Sequence, residues 1–196
     1  MNLDEAAADT PEIELLARVA GGDTEAFSQL YDRLAGVLFS IAVRILHDAH
    51  EAEDVVQEVF VQIWGKAGAY DPRLGKPMTW AITLVRNKAI DRLRASQRAH
   101  RLVEAATAEQ LADETFYEAP NARLLVLETA RAVRVAVAQL VPEQKQAIEM
   151  AFFGGFTQTE IAATLQAPLG TVKARIRRGM QELRDAIEAH KAQLTT

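Results

Sequence analysis

The run from Thr157 to Arg184, TQTEIAATLQAPLGTVKARIRRGMQELR, constrains this chain more than any other stretch. Thr157 is a good helix N-cap, and Glu160 three residues later completes a capping box. Ile161, Ala162 and Leu165 then give a short helix one apolar face. After a three-residue break, Pro168 suits the first position of a second helix, where its missing N–H costs nothing. Val172, Ile176, Met180, Leu183 and Ile187 recur at steps of four, four, three and four, which predicts one buried stripe. Lys173, Arg175, Arg177 and Arg178 fall off that stripe. Two helices joined this tightly, the second one basic, predict a helix-turn-helix whose second helix can enter a major groove. A helical hairpin with a solvated basic face would show the same pattern, so the rest of the chain has to decide.

The rest is helical in pattern. All six prolines (11, 72, 77, 120, 142 and 168) lie at expected element edges, and no run alternates in the way of a strand. Pro11 opens a helix that Gly21-Gly22 stops, and Asp23 caps a longer one with Phe27, Leu30, Tyr31, Leu34, Leu38, Ile41 and Ile45 inward. Residues 51–64 form a third helix, with Val56, Phe60 and Ile63 inward and Asp54, Gln57, Glu58 and Gln62 on a polar face. A loop rich in glycine and proline spans 65–78. Thr79 is then expected to cap a helix with Ile82, Val85, Ala89 and Leu93 inward. From about residue 98 to Pro120 the apolar period fades into alanine and acids, as in a linker. Val126, Ala130, Val133, Val137 and Leu140 form a further stripe, and a helix from Glu143 to Phe153 leads into the helix-turn-helix. The expected fold is all-α, with two small helical domains at 10–97 and 121–190 joined by an acidic flexible linker at 98–120.

Composition excludes several classes. At 49% hydrophobic and 25% charged the chain is globular, and with no cysteine it has no disulfide, thiolate metal site or cysteine nucleophile. Its acidic first residues are no signal peptide, and no apolar run is long enough to cross a membrane. A net charge of −5 argues against a protein that coats nucleic acid indiscriminately. Two basic patches, one over 86–101 and one over 173–184, nonetheless suggest two contacts with one polyanion. The cluster from His47 to Glu51 is a weak candidate for metal ligands, because adjacent loop residues diverge. No nucleotide-cradling loop or nucleophile motif is present, so neither enzyme chemistry nor a cofactor is expected.

Four blocks, in order, resemble the extracytoplasmic-function (ECF) sigma factors of bacterial RNA polymerase, and together they span most of the chain. DVVQEVFVQIW (54–64) is similar to the helix that docks on the polymerase clamp helices, and TWAITLVRNKAIDRLR (79–94) to the segment that captures the melted −10 element. VPEQKQAIEMAFFGGFTQTEIA (141–162) and PLGTVKARIRRG (168–179) are similar to the −35 reading domain, sigma region 4.

The resemblance implies roles. Asp54, Val55, Gln57, Glu58, Phe60 and Trp64 would meet core RNA polymerase at its clamp helices, with a second contact at its flap. Asn87 would contact an extruded base, Tyr70 would offer a stacking surface and Trp80 a wedge. Arg86, Lys88, Arg92 and Arg94 would hold the strand's phosphates. Thr171, Lys173, Ala174, Arg175, Arg177 and Arg178 would face the −35 duplex, with Lys173, Arg177 and Arg178 reaching base edges or phosphates. The implied partners are core RNA polymerase, promoter DNA and an anti-sigma factor, the implied place is the cytoplasm, and no membrane insertion is implied. The turn holds Gln166 where the family usually has glycine, and Ala174 stands where a small polar residue is frequent. A stand-alone helix-turn-helix regulator, which needs neither the 54–64 block nor the Asn87 helix, and a helical interaction protein, for which both basic faces are incidental, are the rival readings.

Overall fold

The computed structural model describes residues 11–103 and 133–194, and within these the side chains of 11–98 and 133–189. All regular structure among the described residues is helical. The chain divides into two compact units, one ending at Asn121 and the other beginning at Ala122.

Among its described residues the first unit holds four α-helices: α1 (Pro11–Ala20), α2 (Thr24–Leu46), α3 (Ala49–Lys66) and α4 (Pro77–Val103). Gly22 adopts φ 86, and Asp23 N–H reaches the Arg18 carbonyl at 3.1 Å while Gly22 N–H reaches Val19 at 2.9 Å. This is a Schellman stop, and the left-handed residue it needs explains the glycine. Asp23 then accepts from the Glu25 and Ala26 amides at 3.0 Å, so one residue ends α1 and starts α2. Along α2 the fully buried residues are Ala26, Leu30, Leu34, Leu38, Ala42 and Ile45. Tyr31, expected inward, is 42% exposed; it sits with Phe27, Phe60 and Trp64 in an aromatic cluster at the α2–α3 edge. The core closes with Val55, Val56, Val59, Phe60 and Ile63 of α3 and Ala81, Val85, Ala89 and Ile90 of α4.

Two boundaries differ from expectation. α4 begins at Pro77, so Thr79 lies inside the helix instead of capping it, and its carbonyl accepts from the Thr83 hydroxyl at 2.8 Å. Proline at the first position supplies the start. At the other end α4 runs through 98–103, residues expected in the linker; 104–120 lie outside the described residues.

In the second unit, helical residues 133–139 (α5) lead to α6 (Pro142–Phe152), α7 (Gln158–Thr164) and α8 (Leu169–Leu194). Ala136 and Leu140 are the buried residues near α5, while Val133 is 37% exposed; Val126 and Ala130 lie outside the described residues. The capping box of α7 is complete: the Glu160 amide donates to Thr157 Oγ1 at 3.2 Å, and the Thr157 amide to Glu160 Oε2 at 2.7 Å. Gln166 takes φ 48, the left-handed conformation that turns the chain between α7 and α8. Pro168 sits one residue before α8, where its carbonyl accepts from Thr171 and Val172. Val172 is fully buried, but Met180 is 53% exposed, against expectation. Gly179 takes the inward position beside it: a Cβ there would lie 2.6 Å from Ile148 Cδ1 and 3.2 Å from Gln144 Cβ. The missing side chain lets α8 cross α6 at close range.

Candidate nucleic-acid interface

On α8 the burial of Val172 and Gly179 turns the opposite side outward. Gly170, Ala174, Arg177 and Gln181 follow one another there at steps of four, three and four, flanked by Lys173 and Arg178. Thr171, Lys173, Arg177 and Arg178 are exposed, and Ala174 is half-buried among them. Arg175 is half-buried on the flank nearer the core. Three cations therefore stand on a convex helical face preceded by a tight turn, a shape that fits a major groove. Gln181, which sequence reasoning passed over, extends the face by one turn and donates to Asp185 at 2.8 Å.

In the first unit the corresponding surface is a stripe of α4. Trp80, Asn87 and Arg94 recur at steps of seven, so they lie on one line along the helix. Asn87 is exposed in its middle. The 65–78 segment meets the upper end as two short 3₁₀ turns, Ala67–Ala69 and Pro72–Leu74. Tyr70 packs its ring on Trp80 with centroids 5.5 Å apart and donates its hydroxyl to the Gly75 carbonyl at 2.6 Å. Burial, with the Asp71 charge adding to it, pushes the Tyr70 phenol above its ordinary value. Asp71 accepts from the Arg73 amide at 3.0 Å and forks onto its guanidinium at 2.7–3.1 Å, which holds the carboxyl down at about 2. So braced, the loop points Leu74 into solvent, 88% exposed. Sequence reasoning chose Tyr70 as the surface; no local signal marked Leu74. Arg86 is half-buried, and burial, then the nearby Arg94 charge, lowers its pKa.

Lys88 and Arg92 turn the other way. Arg92 donates to Glu51 at 2.8 Å and to Glu58 at 2.7 Å and lies 3.6 Å from Asp54, while Lys88 pairs with Glu58. Lys88, then burial acting against it, then the charge and hydrogen bond of Arg92 leave Glu58 below its ordinary value. The outer face of α3 is thus Asp54, Gln57, Glu58, Val61 and Gln62, with Lys88 alongside. Val55 and Phe60, expected at the edge of this face, are 0% and 3% exposed, filled into the core by the α2 and α4 packing. The apolar residues that do reach the surface are Val61, 73% exposed, and Trp64, 38% exposed. No group of three or more metal-ligating side chains exists among the described residues, the His47–Glu51 cluster included.

The Sigma-70 region 2 family model matches residues 30–99 and the Sigma-70, region 4 model matches residues 130–183. The ECF RNA polymerase sigma factor SigK of Mycobacterium sp. (strain KMS) is 32% identical over 173 residues, covering 88% of this chain and 89% of that protein. This chain belongs to the ECF sigma factors. The protein of the same name from Mycobacterium ulcerans (strain Agy99) is 32% identical over 184 residues, covering 89% of this chain and 92% of its own. Among solved structures, CnrH in complex with the cytosolic domain of CnrY is 24% identical, with a TM-score of 0.42 over 92% of this chain and 99% of that one. As a sigma factor the chain is a non-catalytic initiation factor that directs core RNA polymerase to promoter DNA. None of its described helices is long and apolar enough to cross a membrane.

Proposed function

We propose that this sigma factor divides promoter reading between its two units. α8 enters the duplex −35 element with Lys173, Arg177 and Arg178, while the α4 stripe captures the opened −10 strand with Asn87 on a base and Arg86 and Arg94 on phosphates. The observation that supports this most is the alignment of Trp80, Asn87 and Arg94 beside a braced loop. A polar side chain able to donate and accept, flanked by an aromatic ring and a cation, suits an unstacked base and its phosphate. Because Tyr70 is packed on Trp80, Leu74 is the loop side chain that meets the strand first. Core polymerase docks its clamp helices on α3 through Asp54, Gln57, Glu58, Val61 and Trp64, and its flap meets the second unit. Melting draws on binding energy, since the chain carries no chemistry of its own and works in the cytoplasm beside the polymerase. By family likeness an anti-sigma factor covers the polymerase-binding surfaces until a signal releases them.

Transcription with purified core polymerase on a pool of genomic promoter fragments tests the proposal. Discrete new starts should appear with the protein and vanish with Asn87→Ala or Arg178→Ala. Tight duplex binding by the protein alone, with no initiation, would establish a stand-alone regulator instead.

A further inference from the structure

Lys88 and Arg92 resemble strand-binding residues in sequence, but their surroundings are wrong for phosphate. The Arg92 side chain is 28% exposed, whereas those of Glu51, Glu58 and Asp54 are 49%, 41% and 65% exposed. Three carboxylates, each more open to solvent than the guanidinium, are gathered within 3.6 Å of it. A phosphate approaching Arg92 would meet the repulsion of those three like charges, and that repulsion rises as water is displaced. Glu51, Asp54 and Glu58 follow one another at steps of three and four, so they form one edge of the α3 face. Asp54 and Glu58 are also the acids assigned above to the polymerase.

We infer that Lys88 and Arg92 belong to the polymerase-docking face and not to strand capture, with Arg92 a positioning residue that fixes Glu51, Asp54 and Glu58 in one arrangement. One planar guanidinium bonds carboxylates two turns apart on α3, so a single ordered side chain orders several. Each exposed pair is weak by itself. The effect on docking comes from presenting the acids already oriented, which lowers the ordering cost that binding would otherwise meet. With two cations set against three acids, the face offers polymerase a mixed set of acceptors and donors instead of a bare negative patch.

This rests on the assignment of α3 to the polymerase, and the test separates the two. The full chain, fluorescently labelled, is titrated with purified core polymerase in the absence of DNA. Retention of a promoter fragment by the saturated holoenzyme is measured separately. Arg92→Gln and Glu51→Gln should each weaken core affinity about three- to tenfold, and the double variant should be no weaker than the weaker single one. Arg92→Lys should recover part of the loss at an unchanged melting temperature, which a merely structural role would not produce. Promoter retention by saturated Arg92→Gln holoenzyme should stay within about twofold of the parent. Unchanged core affinity with lost promoter retention would return Arg92 to the strand and overturn the inference. Strictly additive losses would do the same, because they would mean that Arg92 and Glu51 act independently. Failure of the unaltered chain to bind core would overturn the assignment of α3 itself.

Discussion

Gln166 holds φ 48, a conformation that costs a residue with a Cβ about 1 kcal/mol relative to glycine. The turn between α7 and α8 is fixed on both sides by backbone bonds, from the Ala167 amide to Ala162 at 3.0 Å and from the Thr171 and Val172 amides to Pro168. Gln166→Gly should relieve the strain but free the unfolded chain, for a net gain of about 0.5 kcal/mol. A rise of roughly 2–4 °C in the melting temperature of the second unit checks this. Asp71 makes the opposite kind of statement. Its carboxyl is held at about 2 against an ordinary 3.8, so the fork to Arg73 contributes fully above about pH 4 and is lost as pH falls through about 2. A carboxyl-carbon NMR titration should place its midpoint near 2, and Arg73→Ala should return it toward the ordinary value. The family resemblance pointed to Gln166. The exposure of Leu74 had no sequence signal, because it follows from how the loop folds back on Trp80 through Tyr70.

Among the elements, the crossing of α6 and α8 turns on Gly179. In Gly179→Ala the Ile148 methyl can rotate away, the 3.2 Å approach to Gln144 Cβ is relieved by a small shift, and helix propensity improves, so stability should change by less than about 1 kcal/mol. Gly179→Val adds two γ-methyls to the same crossing and should destabilise by about 1–3 kcal/mol. Thermal melts of the two variants separate these outcomes. Sequence periodicity chose Met180 because hydrophobicity marks a stripe, whereas a close crossing selects for smallness, which the pattern does not register. The same limit acts on α3. Val55, Val56, Val59, Phe60 and Ile63 are all buried, so apolar residues lie on more than one side: periodicity placed Phe60 inward but did not tell the buried Val55 from the exposed Val61. Where a side chain caps the first turn, as Asp23 does for α2 and Thr157 for α7, the sequence reading and the structure agree.

For the whole molecule, function follows from where charge is left unanswered more than from its sum of −5. The exposed cations of α8 have solvent in front of them, while Lys88 and Arg92 of α4 have α3 acids. Phosphate contacts should show as salt dependence: replacing Arg177 or Arg178 with alanine in the holoenzyme should lower the slope of log affinity against log salt by about 1 if the lost contact is to a phosphate. A base contact would instead relax preference at one −35 position, at a cost of about 1–3 kcal/mol. Whole-chain order was legible because four motif blocks fall in sequence; the allotment of basic residues was not, since the sequence names a charge without naming what faces it. One unbroken helix, α4, has a last consequence. It carries the chain from the core-packed Ala81 to Val103, with residues 94–98 exposed, so the bearing on which the backbone exits α4 at Val103 is set by helical phase. Length changes near residue 98 are therefore counted in turns: one added residue swings that exit by about 100°, whereas seven return it to within about 20°.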